Sequence, residues 1–317
     1  MTDRLPPLTA LRAFEAAARH LSFQDAAAEL NVTPAALSFQ IKQLEGHFGA
    51  PLFRRLNRRV ELTEAGAALA PGASEGFGAL QAAWRAARRT QDTGLLTVTA
   101  GPAFTARWLA PRIFDFAGRH PEVELRFAAT LRLLDFARDD IDVAIRFGIP
   151  PETERDLHLA MEIGEWMTPM MTPDLAARHP TPDSLADARL IHQDDTAWLS
   201  PPIDWPAWLR AADVPVPEMH GPRFSQADHA LDAAQAGAGV VLGRVSLADQ
   251  ALRQGALVAP FDLALVPDAR FRVLCPQGAQ TRPATRAFLA WLEGEVARMH
   301  DHTGTRRMIA SADVPPP

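Results

Sequence analysis

Residues 22–53, SFQDAAAELNVTPAALSFQIKQLEGHFGAPLF, decide how the first part of this chain folds. Phe23, Ala26, Ala27 and Leu30 recur at the i, i+3, i+4, i+7 spacing of one apolar helical stripe. Ser22 stands where its hydroxyl can accept an amide bond from the first turn. Asn31-Val32 breaks the period, Thr33 can cap a second helix, and Pro34 suits its first position, where no amide hydrogen is needed. In that second helix Leu37, Ile41, Leu44 and Phe48 predict the buried side, and Ala35, Ser38, Phe39, Lys42 and Gly46 the outward one. Two short helices with a tight turn, the second showing small, apolar and cationic groups, suit insertion into a DNA major groove.

Working outward, Leu8, Leu11, Phe14 and Ala18 predict a preceding helix for the pair to pack on. On the other side, Leu52–Leu56 and Val60–Leu62 read as two short strands around Asn57-Arg58-Arg59, a basic hairpin lying along phosphates. The candidate DNA contacts are therefore Ser22, Thr33, Pro34, Ala35, Ser38, Phe39 and Lys42, with Arg54, Arg55, Arg58 and Arg59 from the wing. The alternative is a three-helix core that binds protein. Charge separates the two: residues 1–90 carry +3, and the rest of the chain −9. A basic head on an acidic body suits a DNA module joined to something that avoids nucleic acid.

With 317 residues and 47% hydrophobic composition, the chain can hold two or three domains with sizeable cores. One cysteine, Cys275, excludes an internal disulfide framework. No stretch reads as a signal peptide or a membrane span, so the expected location is the cytoplasm.

Residues 66–90 are alanine-rich, with Phe77, Leu80 and Trp84 on one stripe, which predicts a linker helix that either pairs with a second copy or serves as a spacer. Pro71-Gly72 is expected to kink or weaken it, and Gln91-Asp92-Thr93-Gly94 reads as a hinge. From residue 95 strands and helices alternate. Leu95–Ala100, Val123–Ala128 and Ile141–Phe147 read as strands of a parallel sheet, with helices over Phe104–Arg119 and Leu131–Arg138. Leu159–Met171 is expected to cross to a second lobe. That lobe holds strands at Leu190–His192, Arg223–Phe224 and Gly239–Leu242 and helices at Trp205–Ala212 and Asp228–Ala236. Phe271–Cys275 returns as a strand, Pro283–Met299 closes as a helix, and Asp301–Pro317 is expected to be disordered.

In such a two-lobed α/β clamp, ligands lie at the carboxyl ends of strands. The turn Gly101-Pro102-Ala103-Phe104, Thr130 after the second strand, and Arg146-Phe147 at the end of the third occupy those positions. Trp198, Ser225 and Gln226 face them from the second lobe. The helix start after Gly101 and the Arg146 guanidinium favour a carboxylate. Arg146 could equally be held by Asp142 or a neighbouring helix.

Three enzyme-like patterns carry little. Gly237-x-Gly239-x-x-x-Gly243 follows a helix and precedes a strand, the reverse of a dinucleotide loop, and reads as a helix-ending turn. His300-Asp301-His302 falls in the expected loose tail. Cys275 sits in an apolar strand as a small hydrophobe. No set of residues supports catalysis, and no cofactor or metal is expected.

The opening LPPLTALRAFEAAARHLSF, the AA…LNVT…ALS.QIKQLE run and the G.PLFRRLNR…LTEAG wing resemble the N-terminal domain of LysR-type transcriptional regulators, in particular the glycine-cleavage-activator branch. The resemblance continues over residues 4–298. It implies an all-α winged helix-turn-helix (residues 1–65), a dimerising linker helix (66–90) and a two-lobed, periplasmic-binding-protein-like α/β effector domain (91–300). It further implies double-stranded DNA with an inverted-repeat promoter site, a small-molecule effector such as an amino acid or small carboxylate, a homodimer or homotetramer, and RNA polymerase as partner. Phe39 departs from the family, which often has Arg or His there. Arg270, implied in the pocket by the resemblance, stands where relatives often have Tyr.

Overall fold

The computed structural model describes residues 5–56, 59–89, 94–136, 139–149, 157–216, 218 and 220–316, which fall into two compact units divided after Gln91. Asn57 and Arg58 at the expected wing tip, Gln91–Thr93 of the expected hinge, and Arg138 lie outside the described residues.

In the first unit, α1 (Leu8–His20), α2 (Phe23–Glu29) and α3 (Pro34–Phe48) precede a hairpin of β1 (Phe53–Leu56) and β2 (Arg59–Leu62), and α4 (Glu64–Arg89) follows. The caps form as their residues dictate. Ser22 Oγ accepts the Asp25 amide at 3.2 Å, Thr33 Oγ1 accepts the Ala36 amide at 3.1 Å, and Asn31 turns the chain with φ of 55°. Leu37, Ile41 and Leu44 are buried against Ala10, Ala13, Phe14, Ala17, Ala26 and Ala27. Phe48 and Leu8, expected inside, are 55% and 57% exposed. Phe53 closes the core instead, with its ring centroid 5.4 Å from that of Phe14 and 5.3 Å from that of Phe23. On α1 the small Ala10, Ala13 and Ala17 let the neighbouring helices approach closely, so the buried side centres on them and Phe14.

Glu45 ties α3 to the wing by accepting the amides of Leu52 (2.8 Å) and Phe53 (3.2 Å). Thr63 Oγ1 donates to the Pro51 carbonyl and accepts the Gly66 amide. At Gly66 a Cβ would lie 2.2 Å from the Leu52 carbonyl oxygen, so only glycine lets α4 start this close to the wing. The helix continues through Pro71 to Arg89.

The second unit begins with β3 (Leu95–Ala100), a short α5 (Pro102–Phe104) running into a π-turn over Thr105–Leu109, and α6 (Ile113–Arg119). Next come β4 (Glu124–Ala129), β5 (Val143–Gly148), β6 (Leu157–Ile163), β7 (Met167–Met170), α7 (Pro173–Arg178), β8 (Leu190–Gln193) and α8 (Trp205–Ala211). The chain continues through β9 (Arg223–Phe224), α9 (Ala227–Gln235), β10 (Val240–Arg244), α10 (Val245–Arg253), β11 (Leu263–Val266), β12 (Arg270–Pro276), α11 (Pro283–Ala297) and β13 (Arg307–Ala310). Lobe I carries the sheet β4-β3-β5-β12-β6, and lobe II the sheet β13-β11-β7-β10-β8-β9. The chain crosses between them three times, at residues 164–166, at 267–269, and again between α11 and β13. Around Phe104, Trp108, Phe116, Phe271, Phe288 and Trp291 a core runs from lobe I into the Met170–Val241–Leu257 part of lobe II.

Several expectations for this unit are corrected. The lobe I sheet is mixed: β3 runs parallel to β4 and β5, but the returning β12 is antiparallel to β5 and β6. Residues 131–136 are not helical. Their backbone is held open by the Arg146 guanidinium, which donates to the Leu134 carbonyl at 2.6 Å. Phe104–Arg119 is interrupted before Ile113, near Pro111, which cannot donate an amide bond. The tail is ordered: β13 pairs in parallel with β11, Arg306 donates to the Ala259 carbonyl at 2.5 Å, and His302 lies 3.0 Å from the buried Asp249 carboxylate. By contrast, Gly237 ends α9 with φ of +77°, as expected of a helix-ending turn.

Two outcomes follow from the first unit. Gly66→Ala should lower its unfolding free energy by about 1–3 kcal/mol, the range for an inserted group that forces backbone shifts, as read by chemical denaturation; an unchanged midpoint would show that the contact relaxes freely. Glu29, hydrogen-bonded to Arg19 (2.6 Å) and His20 (2.5 Å), has its pKa lowered from 4.5 to about 2, chiefly by Arg19. A depressed carboxylate adds stability above its ordinary pKa and loses it as pH falls. The stability gap between wild type and Glu29→Gln should therefore narrow as pH falls from 4.5 toward 2.

Candidate DNA-reading face and ligand cleft

Burial of Leu37, Ile41 and Leu44 determines what α3 presents to the outside. Ala35 and Lys42 are exposed, Ser38 is half-buried, and Phe39 is 64% exposed. Pro34 is exposed at the first position of the helix. Ser22 and Thr33 each commit one oxygen lone pair to capping, which fixes the α2 and α3 starts and leaves the hydroxyl hydrogen to donate. On the wing Arg54 is exposed, and Arg55 and Arg59 sit in register opposite Val60 and Leu56. Arg58 lies outside the described residues. Thus the helix face and the first wing strand offer apolar, hydroxyl and cationic groups, the inventory needed for base edges and phosphates.

In the second unit a cleft of about 440 Å³ opens between the lobes. Gly101, Pro102, Ala103, Phe104, Thr130, Arg146 and Phe147 line it from lobe I, and Trp198, Ser225 and Gln226 from lobe II. Arg270 does not: it is exposed at the start of β12, paired with Gly148 at the sheet's end. Asp142 meets Arg282 at 3.0 Å and accepts the Thr97 amide at 2.9 Å. Arg146 lies in the cleft wall above the Phe136 ring, 5.0 Å from its centroid.

The cleft also holds a charged pair that sequence reasoning missed. Arg244, 5% exposed, forms an ion pair with Asp195, 8% exposed, and lies 5.1 Å from the centroid of Phe147. Trp198 packs edge-on to Phe147 at 5.9 Å and donates its indole hydrogen to the Asp195 carbonyl. Arg244 Nε and Asp195 Oδ1 are buried and have no hydrogen-bond partner among the described residues. The two residues are 49 apart in sequence, so neither could be assigned to the other from spacing. The only signal was that Arg244 follows closely on the expected strand Gly239–Leu242, much as Arg146 stands near the end of Ile141–Phe147.

Behind this wall Glu165, in the first crossing segment, is fully buried. Desolvation pushes its pKa up, opposed by the hydroxyl and amide of Ser246, the nearby Arg244 charge and the Trp166 amide. It caps the start of α10, which follows Arg244 directly. Among the described residues no cluster of three His, Cys, Asp or Glu could hold a metal, and no helix is long and apolar enough to cross a membrane. Cys275 is buried, and desolvation raises its thiol pKa.

Known proteins carry the same two parts. Residues 8–67 match the family described as bacterial regulatory helix-turn-helix protein, lysR family, and residues 89–297 match the LysR substrate binding domain. The chain is 36% identical over 301 residues to the glycine cleavage system transcriptional activator of Escherichia coli K12, covering 94% of this chain and 96% of that one. It is 34% identical to the HTH-type transcriptional activator AmpR of Rhodobacter capsulatus, covering 92% and 98%. Among solved structures, the AmpR effector domain of Pseudomonas aeruginosa superposes with a TM-score of 0.51 at 28% identity, over 64% of this chain and 96% of that domain. Full-length LysG of Corynebacterium glutamicum shares the fold, with a TM-score of 0.52 at 19% identity over 92% and 98%. The chain belongs to the LysR family of transcriptional regulators, with a helix-turn-helix that binds DNA and a two-lobed domain that binds a small-molecule effector.

Proposed function

We propose that the effector is an amino acid, or another small carboxylate, held in the cleft between the lobes. The observation that carries this reading is the Arg244–Asp195 pair in the cleft wall, with one donor and one acceptor unused. A buried polar atom without a partner costs about 1–3 kcal/mol, and a ligand carrying an ammonium and a carboxylate would relieve both. Ser225, Gln226 and the start of α9 supply further polar groups, while Phe104, Phe147, Trp198, Leu247 and Phe271 give an apolar lining for the rest of the ligand. Gly101, Pro102, Ala103 and Thr130 shape the lobe I wall, and Arg146 adds a second positive charge.

On the DNA side, α3 enters the major groove, Ser38 and Phe39 meet base edges, and Lys42 and the wing arginines meet phosphates. Ser22, Thr33, Pro34 and Ala35 set the approach of the helix. The protein works as a homodimer or homotetramer on an inverted repeat in the cytoplasm, with RNA polymerase as its downstream partner. Leu80 and Trp84, 55% and 69% exposed on α4, support pairing through that helix.

A thermal-shift screen of the full chain against amino acids and small carboxylates tests the effector reading. A ligand at 100 times its Kd adds about 2.7 kcal/mol. Arg244→Ala, compared with its own ligand-free midpoint, should lose that shift; a shift kept in full, or none across the panel, would contradict the assignment. Lys42→Ala should weaken specific and nonspecific duplexes alike and reduce the salt slope by about one. A wild-type slope would remove Lys42 from the phosphate backbone.

A further inference from the structure

We propose that Phe39 reads the 5-methyl group of a thymine in the major groove, so that this regulator's site choice depends on a pyrimidine methyl. The inference rests on α3 being the DNA-reading helix, as argued above.

Phe39 sits about half a helical turn away from the line through Leu37, Ile41 and Leu44, at the middle of the face turned away from the core. Its ring is 64% exposed. Ala35 lies one turn before it and Gly46 two turns after, both small, so the ring stands clear of its own helix. A Cβ built at Gly46 would meet nothing within 4 Å. Lys42, three residues on, is also exposed. A ring in this place therefore has a cation beside it and open space around it.

The chemistry narrows what such a ring can recognise. Phenyl carbon can neither donate to the O6 and N7 acceptors of guanine nor accept from the amino groups of cytosine and adenine. The one apolar group on the major-groove edge of the four bases is the thymine methyl. Residues in the N-terminal part of a recognition helix are those that reach base edges, and Phe39 lies in the second turn. A phosphate contact would gain nothing from a ring, and Lys42 already supplies the cation for that role.

The test uses the full chain. Binding sites are first selected from random duplexes, and each thymine of the winning site is then replaced singly by deoxyuridine, which removes only the methyl. One thymine per half-site should be sensitive, with affinity falling about three- to fivefold, as expected for one lost methyl contact. In Phe39→Ala the thymine and uracil duplexes should bind equally, and its thermal midpoint should match wild type because the ring is not part of the core. If no thymine is sensitive, or if the sensitive position stays so in Phe39→Ala, the proposal is overturned while DNA reading by α3 stands. A selection that enriches no sequence overturns the reading of α3 itself, and this proposal with it.

Discussion

The cleft depends on a carboxylate buried where the chain crosses between lobes. Glu165 is buried, and its carboxyl group is tolerable there only if hydrogen bonds replace its hydration. The amides of Trp166 and Ser246 and the Ser246 hydroxyl provide them. Two of those donors belong to the start of α10, so the crossing segment is bound to the helix that follows Arg244. The same hydrogen bonds that satisfy the buried carboxyl group thereby fix the strand end that presents Arg244 to the cleft. Removal of the carboxylate would free the segment, the helix start and the cleft wall together.

Across the cleft, Phe147 is the side chain that both lobes use. It ends a lobe I strand, packs 4.9 Å from Phe271, and receives the Arg244 guanidinium and the Trp198 edge from lobe II. Within the cleft itself the lobes thus meet through a few aromatic and cation–π contacts of about 0.5–2 kcal/mol each. Contacts of that size can be exchanged for contacts to a ligand. A ligand shifts the lobes only by the difference between its affinities for their two arrangements, and the charged pair is where such a difference can arise.

Much of the first unit was legible because its signals are local. Ser22, Thr33 and Pro34 mark helix starts within one turn of the groups they satisfy, and three of the four residues of the α3 stripe are buried as spacing requires. Phe48 misled because the wing, folding back with Phe53, fills the core that a fourth helix residue would have filled. In the second unit the strand ends forecast most of the cleft wall, since ligand-facing loops follow strands in this architecture. Leu131, Leu133 and Leu134 imitate a helical stripe, yet they line the cleft in an open segment secured by Arg146. Asp195 and Arg244 pair across separate elements, and β13 depends on the exposed edge of β11, so neither leaves a periodic trace. Helix α10 was missed because it follows β10 directly, with no connecting loop to mark the change.

The DNA-binding helix-turn-helix and the cleft lie in different units, and regulation by an effector requires that they exchange free energy. Coupling between two binding sites is reciprocal: any factor by which a ligand changes operator affinity must reappear when the operator changes ligand affinity. The most direct measurement is the Kd of a thermally stabilising amino acid for the full chain, by calorimetry, with and without its selected operator duplex. The account predicts a several-fold difference between the two values, matched in size by the effect of that amino acid on operator affinity. Identical values, with the amino acid bound in both cases, would contradict it.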